Sequence, residues 1–170
     1  NGAVIGLQAA FHDLTGLLQD IEELRLAAAV LDSAQQAVMV TDLEGRILQV
    51  NPAFETITGH AAADVLGQTP RLLSSGQQSR EFYAQLWSTL TTRGHWQGEL
   101  VNRRRDGSLF VQQLNISTVR DAQGEPSHYV AMFMDISEAR AAEQRIQHLA
   151  HHDVLTGLPN RLLLTDRMQQ

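Results

Sequence analysis

Residues 95–135 read HWQGELVNRRRDGSLFVQQLNISTVRDAQGEPSHYVAMFMD. Three apolar-rich runs, 95–103, 109–120 and 127–135, are joined across Arg104-Arg105-Asp106-Gly107 and around Asp121-Ala122-Gln123-Gly124. Each of these polar segments ends in glycine, which supplies the positive φ of a tight turn, so the stretch predicts three antiparallel strands in series. Along the middle strand Phe110, Gln112, Leu114 and Ile116 fall on one face.

Upstream, 38–41 and 47–50 flank Asp42-Leu43-Glu44-Gly45 and predict a further hairpin. Asn51-Pro52 then has the form of a helix start, with Asn as N-cap and Pro in the first turn. Short helical pieces broken at Gly59 and Gly67 lead to a longer helix over 79–92, ended by Gly94. Its apolar residues Phe82, Tyr83, Leu86, Trp87 and Leu90 are expected on one face. Two strands, several helices and three strands joined by short turns define an α+β fold: a five-stranded antiparallel sheet with helices packed on one face.

On either side of this unit lie amphipathic segments. Leu14, Leu17, Ile21, Leu24, Ala28 and Leu31 recur at 3,4 spacing, and Ala139, Ala142, Ile146 and Leu149 repeat it more weakly after Ser137, a candidate N-cap. Such stripes suit a homodimer through flanking coiled-coil helices, and equally a helix lying on its own domain. Residues 4–15 (VIGLQAAFHDLT) and 126–137 (PSHYVAMFMDIS) share a pattern: an extended apolar run, then Asp, an aliphatic residue and Ser or Thr. Each precedes an amphipathic helix, as expected of a repeated module. The resulting division is 1–15, the last strand of a preceding module or a linker; 16–34, an N-terminal signalling helix; 35–137, the domain; 138–152, a linker helix; and 153–170, the opening of another domain.

The chain has 170 residues, 13 basic and 19 acidic, for a net charge of −6. That balance argues against nucleic acid or an anionic membrane as partner. At 43% hydrophobic residues a real core is available. No cysteine is present, which excludes a disulfide framework, a thiolate metal site and a cysteine nucleophile. The longest apolar runs, 26–31 and 129–134, are too short to span a bilayer. With neither an initiator Met nor a signal peptide, the sequence reads as a soluble piece of a longer chain, expected to be cytoplasmic whether or not the parent is membrane-anchored.

Thr41-Asp42-Leu43-Glu44-Gly45, Asn51-Pro52-Ala53-Phe54, Thr58-Gly59, Val65-Leu66-Gly67, Arg105-Asp106-Gly107 and Asp135-Ile136-Ser137 together resemble a PAS sensory domain over 35–137. That resemblance implies a ligand pocket between the sheet and its helices. Residues 153–161, DVLTGLPNR, resemble the opening of GGDEF domains, which make cyclic di-GMP. This implies a downstream GGDEF partner in cis and a parent diguanylate cyclase, with or without a phosphodiesterase domain. The signature loop and metal-binding carboxylates of that family are absent here, so these residues are not expected to catalyse anything themselves.

Within the PAS family, Pro70-Arg71-Leu72-Leu73-Ser74-Ser75-Gly76, Phe82-Tyr83, Leu86-Trp87, Trp96 and Val101-Asn102-Arg103-Arg104 resemble the flavin-binding redox sensor of nitrogen-fixation regulators. The resemblance implies FAD as cofactor, with Asn102 hydrogen-bonding the isoalloxazine edge and Trp87 bordering the ring. Pro70 stands where that family has a glutamate. Residues 67–73, GQTPRLL, also resemble the light-sensing LOV motif, with proline in place of its photoreactive cysteine; LOV photochemistry is thereby excluded. On that pattern Arg71 contacts the cofactor phosphate and Gln112 supplies a second ring-binding amide.

Carboxamides suit an isoalloxazine edge because they serve as donor or acceptor, whereas in ordinary strands the same residues face solvent or neighbouring backbone. The competing expectation is therefore a cofactor-free relay and dimerisation module. Other constellations carry less. His148, His151 and His152 with Asp153 have metal-ligand spacing, but helical histidines are usually solvated or packed, and no metal is expected. His60 and His95 are the candidates for axial haem ligation, with nothing diagnostic around either. Arg103-Arg104-Arg105 is expected to be a solvated turn, and Ser74-Ser75-Gly76 lacks the lysine and preceding strand of a phosphate loop.

Overall fold

The computed structural model describes residues 33–151, with side chains to 147, together with Glu22, Arg25, Leu26 and Ala29 ahead of them. The N-terminal repeat, all six residues of the first apolar stripe, the side chains of the 148–153 histidine cluster and the 153–170 tail lie outside the described residues.

The elements are β1 (Ala37–Thr41), β2 (Ile47–Val50), α1 (Pro52–Thr58), α2 (Ala62–Val65), a 3-10 turn (Pro70–Leu73), α3 (Arg80–Arg93), β3 (His95–Arg103), β4 (Leu109–Arg120), β5 (Pro126–Asp135) and α4 (Ser137–His151). All five strands join one sheet in the order β2-β1-β5-β4-β3, with every neighbouring pair antiparallel. The helical segment between β2 and β3 therefore carries the chain from one edge of the sheet to the other. The expected strands are all present; β1 and β5 each begin one residue earlier than their composition suggests.

Local chemistry accounts for the helix starts. The Asn51 carboxamide oxygen accepts from the Phe54 N–H at 3.0 Å, capping α1, and from the Val38 N–H at 2.8 Å, tying that cap to β1. Ser79 caps α3 by accepting from the Phe82 N–H at 3.2 Å. Ser137, expected to cap α4, instead turns its hydroxyl to the Val111 N–H of β4 at 2.9 Å. Asp135 takes the Ser137 N–H at 2.8 Å in its place.

The core lies on the helix-covered face of the sheet, where Ile47, Phe54, Leu73, Phe110 and Phe133 are all but fully buried. Phe54 meets Phe133 edge to face at 5.9 Å. On α3, Leu86 and Leu90 are buried as expected, but Trp87 is 45% exposed. At about 100° per residue Leu86, Leu90 and Trp87 span roughly 100° of the helix, so Trp87 lies at one edge of the inward stripe and is only partly covered there, by Tyr129. Trp96 folds back along β3 over Gly98, where a Cβ would sit 2.6 Å from the indole; only glycine leaves room for the ring to lie there.

A loop covers half of the β3 edge. Ser75 donates its hydroxyl proton to the Val101 carbonyl. The Gln78 carboxamide donates to the same carbonyl at 2.9 Å and accepts from the Val101 N–H at 2.8 Å in the orientation that satisfies both groups. Ser74 bridges to Asn102 in antiparallel register. Ser74-Ser75-Gly76 thus acts as an edge cap, protecting a strand that would otherwise offer unpaired backbone groups.

Candidate functional site

Asn102 and Gln112 sit on the buried face of β3 and β4. Asn102 pairs with Phe110 across the ladder and Gln112 with Leu100, which makes the two amides diagonal neighbours. The Asn102 Nδ2 donates to Gln112 Oε1 at 3.1 Å, and both residues are buried, at 7% and 3% exposure. Two carboxamides on the helix-covered face are not ordinary solvent-facing strand residues. Desolvating an amide is costly, and each offsets much of that cost for the other.

Arg71 belongs to the same end of the domain. It lies in the 3-10 turn three residues before Ser74, whose backbone meets Asn102, and its side chain is exposed. Trp87 is placed elsewhere. Its ring stands edge to face with Tyr129 at 5.5 Å, and Tyr129 is in register with Thr118. From Thr118 to Gln112 along β4 is roughly 20 Å at about 3.4 Å per residue. The structure therefore brings together Asn102, Gln112 and Arg71, and leaves Trp87 near the far end of the sheet.

The amide pair is one ladder step from the origin of α4. Gln112 is in register with Asp135, whose carboxylate Oδ1 accepts from the Ser137 N–H; Ile136 N donates to the Val111 carbonyl at 2.8 Å. Arg104, at the tip of the β3–β4 hairpin, holds the same junction. Its guanidinium bonds to the Asp135 carboxylate and to the Ile57 carbonyl, and lies 4.5 Å over the Phe110 ring. One side chain thus links α1, the hairpin and the base of α4.

Burial opposes ionisation of Asp135. Hydrogen bonds from Ser137 and Arg104, with the Arg104 charge, outweigh it and hold the carboxyl below the usual carboxylate range. Arg105 pairs with Asp64 at 2.7 Å, and Arg103 donates to the Ser75 carbonyl at 3.0 Å. Arg103 and Arg105 are exposed, as expected of a solvated turn, with surface contacts only; Arg104 alone is partly buried and acts as a clamp. A second tie reaches α4 farther on: Arg140 meets the Glu99 carboxylate with contacts of 2.6 and 2.8 Å. Glu99 lies three residues from Asn102 on the same strand.

Sequence reasoning quoted Arg104 and Asp135 as motif residues without pairing them, and passed over Glu99 and Arg140. An arginine at a hairpin tip and an acid at a strand end carry no signal of contact until the strand order is known. His60 lies just beyond α1; burial first, then the Arg105 charge, lower its pKa. No cluster of three or more His, Asp or Glu fit to hold a metal occurs among the described residues. Nor is any helix among them long and apolar enough to cross a membrane.

A 2-1-5-4-3 antiparallel sheet with its helices on one face and an exit helix leaving its central strand is the architecture of a sensory module. The chain belongs to the PAS fold family, which matches residues 25–136. It is 39% identical over 143 residues to a nitrogen fixation regulatory protein of Klebsiella oxytoca, covering 83% of this chain and 29% of that protein. It is 27% identical over 165 residues to the cyclic di-GMP phosphodiesterase PdeR of Escherichia coli, covering 95% of this chain and 25% of that protein. Among solved structures, a light–oxygen–voltage domain whose mechanism was probed with a flavin analogue superposes with a TM-score of 0.57 at 29% identity, covering 70% of this chain and 90% of that one. The chain spans less than a third of the length of these curated relatives.

Proposed function

We propose that this PAS domain is a flavin-dependent redox or oxygen sensor whose output passes through α4 to a downstream cyclic di-GMP domain. The observation that carries the reading is the buried Asn102–Gln112 pair, one ladder step from Asp135. The donor set fits an isoalloxazine edge, because each carboxamide offers a donor and an acceptor and either can exchange its present partner for a ligand. Asn102 and Gln112 would hold the ring edge, and Arg71, exposed at the same end, would meet a phosphate. FAD is the form that the resemblance of the 70–104 motifs to a flavin-binding redox sensor implies. Pro70 in place of a glutamate, and the distance of Trp87, leave the hold to these three residues.

A bound flavin supplies two redox states that differ in hydrogen bonding at the ring edge. This chain's part follows from its own contacts. A reoriented Gln112 carboxamide strains the β4–β5 ladder where Gln112 faces Asp135, and the Asp135–Arg104–Ile57 junction passes that strain to α4 and α1 together. Two junction states separated by about 1–3 kcal/mol suffice to regulate a partner domain. On this reading α4 pairs with its counterpart in a homodimer along the stripe that holds Ile146, which is 68% exposed. The module acts in the cytoplasm, in cis with a GGDEF domain, and has no catalysis of its own.

One observation favours the cofactor-free relay. Asn102 and Gln112 satisfy each other, and no buried side-chain nitrogen or oxygen among the described residues lacks a partner. Visible absorption of the freshly purified chain separates the two readings. Yellow protein, bleached by dithionite and losing colour in Asn102→Ala, is the expected result. Colourless protein that takes up neither FAD nor FMN on refolding refutes the flavin reading and leaves the relay.

A further inference from the structure

We propose that the trough between α3 and the first half of β3 is a second binding site, for a flat aromatic ring carrying an anionic group. The trough has a volume of about 400 Å³, within the range of small-ligand sites, and lies on the His95 side of the domain, away from Asn102 and Gln112. Its inner wall is aromatic: Phe82 and Trp96 meet edge to face at 5.9 Å, with Leu86 beside them. Trp96 is set by Gly98, whose missing side chain lets the indole lie along the strand. Both rings are partly buried against the core, so the surface they show to the trough is held in fixed geometry and can stack another ring.

The rim gives the site its sign. Gln85, Thr89 and Arg93 recur every fourth residue and so form one flank of α3, with His95 facing them from β3. Among the described residues the ion pairs use Arg104, Arg105 and Arg140, and none uses Arg93. Other arginines, Arg80 on the same helix among them, are likewise outside these ion pairs; what is particular to Arg93 is its place on the rim of an aromatic-walled trough. A guanidinium fork matches carboxylate and phosphate oxygens, and the Gln85 amide supplies neutral hydrogen bonds between ring and anion. The α3 C-terminus favours a base at Arg93, but it accounts for neither the aromatic wall nor the trough.

The test uses AMP, adenosine and inorganic phosphate as probes, with tryptophan fluorescence and calorimetry as readouts, on the full chain. AMP is expected to bind about tenfold tighter than adenosine, and phosphate alone more weakly than AMP. Arg93→Gln, at an exposed helix end, is expected to keep the wild-type melting temperature and flavin content while erasing the advantage of AMP. Trp96→Phe is expected to weaken AMP and adenosine alike. The proposal is overturned if AMP does not bind, if AMP and adenosine bind equally to wild type, or if the AMP advantage survives Arg93→Gln.

Discussion

Replacing Asn102 and Gln112 by apolar side chains of similar shape, singly and together, separates what the amide pair does for the fold from what it does for a ligand. In Asn102→Leu the Gln112 oxygen loses its donor at a site only 3% exposed. Leaving a buried polar group unsatisfied costs about 1–3 kcal/mol. For a domain of this size roughly 4 °C of melting temperature accompanies each kcal/mol, so the single variant should melt about 4–12 °C lower. Gln112→Met should behave alike, because the Asn102 amide is then the stranded group. The double variant removes both polar groups and should recover most of the summed loss of about 2–6 kcal/mol, so the coupling in the double-mutant cycle should exceed about 1 kcal/mol. It should also bind no flavin, since neither amide remains. Thermal denaturation supplies the cycle and visible absorption the ligand content. Additive losses in the double variant would refute the pairing argument, and a double variant that still holds flavin would refute the site.

Arg104→Gln should lower stability by about 1–3 kcal/mol through the loss of its bonds at Asp135 and Ile57 and its place over Phe110, and should raise hydrogen exchange in the first turn of α4. The pH dependence has a definite sign. The folded Asp135 pKa lies below its ordinary value of 3.8, so its contribution is complete above that value and is lost as pH falls through the depressed folded pKa. Acid titration of stability should therefore show a step below about pH 4 that is smaller in Arg104→Gln. Gly98→Ala should displace the Trp96 indole, which a Cβ would approach to 2.6 Å, at a cost of about 1–3 kcal/mol and with a change in tryptophan emission. Ile146→Glu should leave the melting temperature near wild type while converting a dimer to monomer in sedimentation velocity, because Ile146 contributes little to its own domain.

Period and punctuation made most of the fold legible. Alternation over 109–120 and the glycine-ended turns at Gly107 and Gly124 locate β3, β4 and β5 almost to the residue, since those signals are local. Asn51-Pro52 located α1 for the same reason, and the structure adds the bond to Val38 that no local signal reports. Asn102 and Gln112 could be named as amides of interest; their pairing became visible only with the β3–β4 register. Trp87 shows the converse limit. It fits the apolar pattern of α3, but it lies at the edge of that stripe and stays 45% exposed against Tyr129, because how far the sheet extends beneath the helix is not written in the helix's own period. The Arg104–Asp135 and Glu99–Arg140 contacts join residues 31 and 41 positions apart, and separations of that kind are set by topology alone.

The strand order explains why a small change at the amide pair can reach α4. β5 lies between β1 and β4, so the strand that delivers α4 is bonded along both sides and cannot shift without disturbing a neighbour. Gln112 lies opposite the last residue of that strand, where the ladder gives way to helix and Asp135 holds the Ser137 N–H. Disturbance there is not absorbed by further ladder bonds and falls on Arg104, which also touches the end of α1. The exposed Arg140–Glu99 pair is worth little in stability, yet it bridges α4 to the strand that carries Asn102. Glu99→Gln should therefore change melting temperature by less than about 1 kcal/mol equivalent while altering the distance between spin labels on α4 and β4. An unchanged distance distribution in that variant would assign the placement of α4 to the Asp135–Arg104 junction alone.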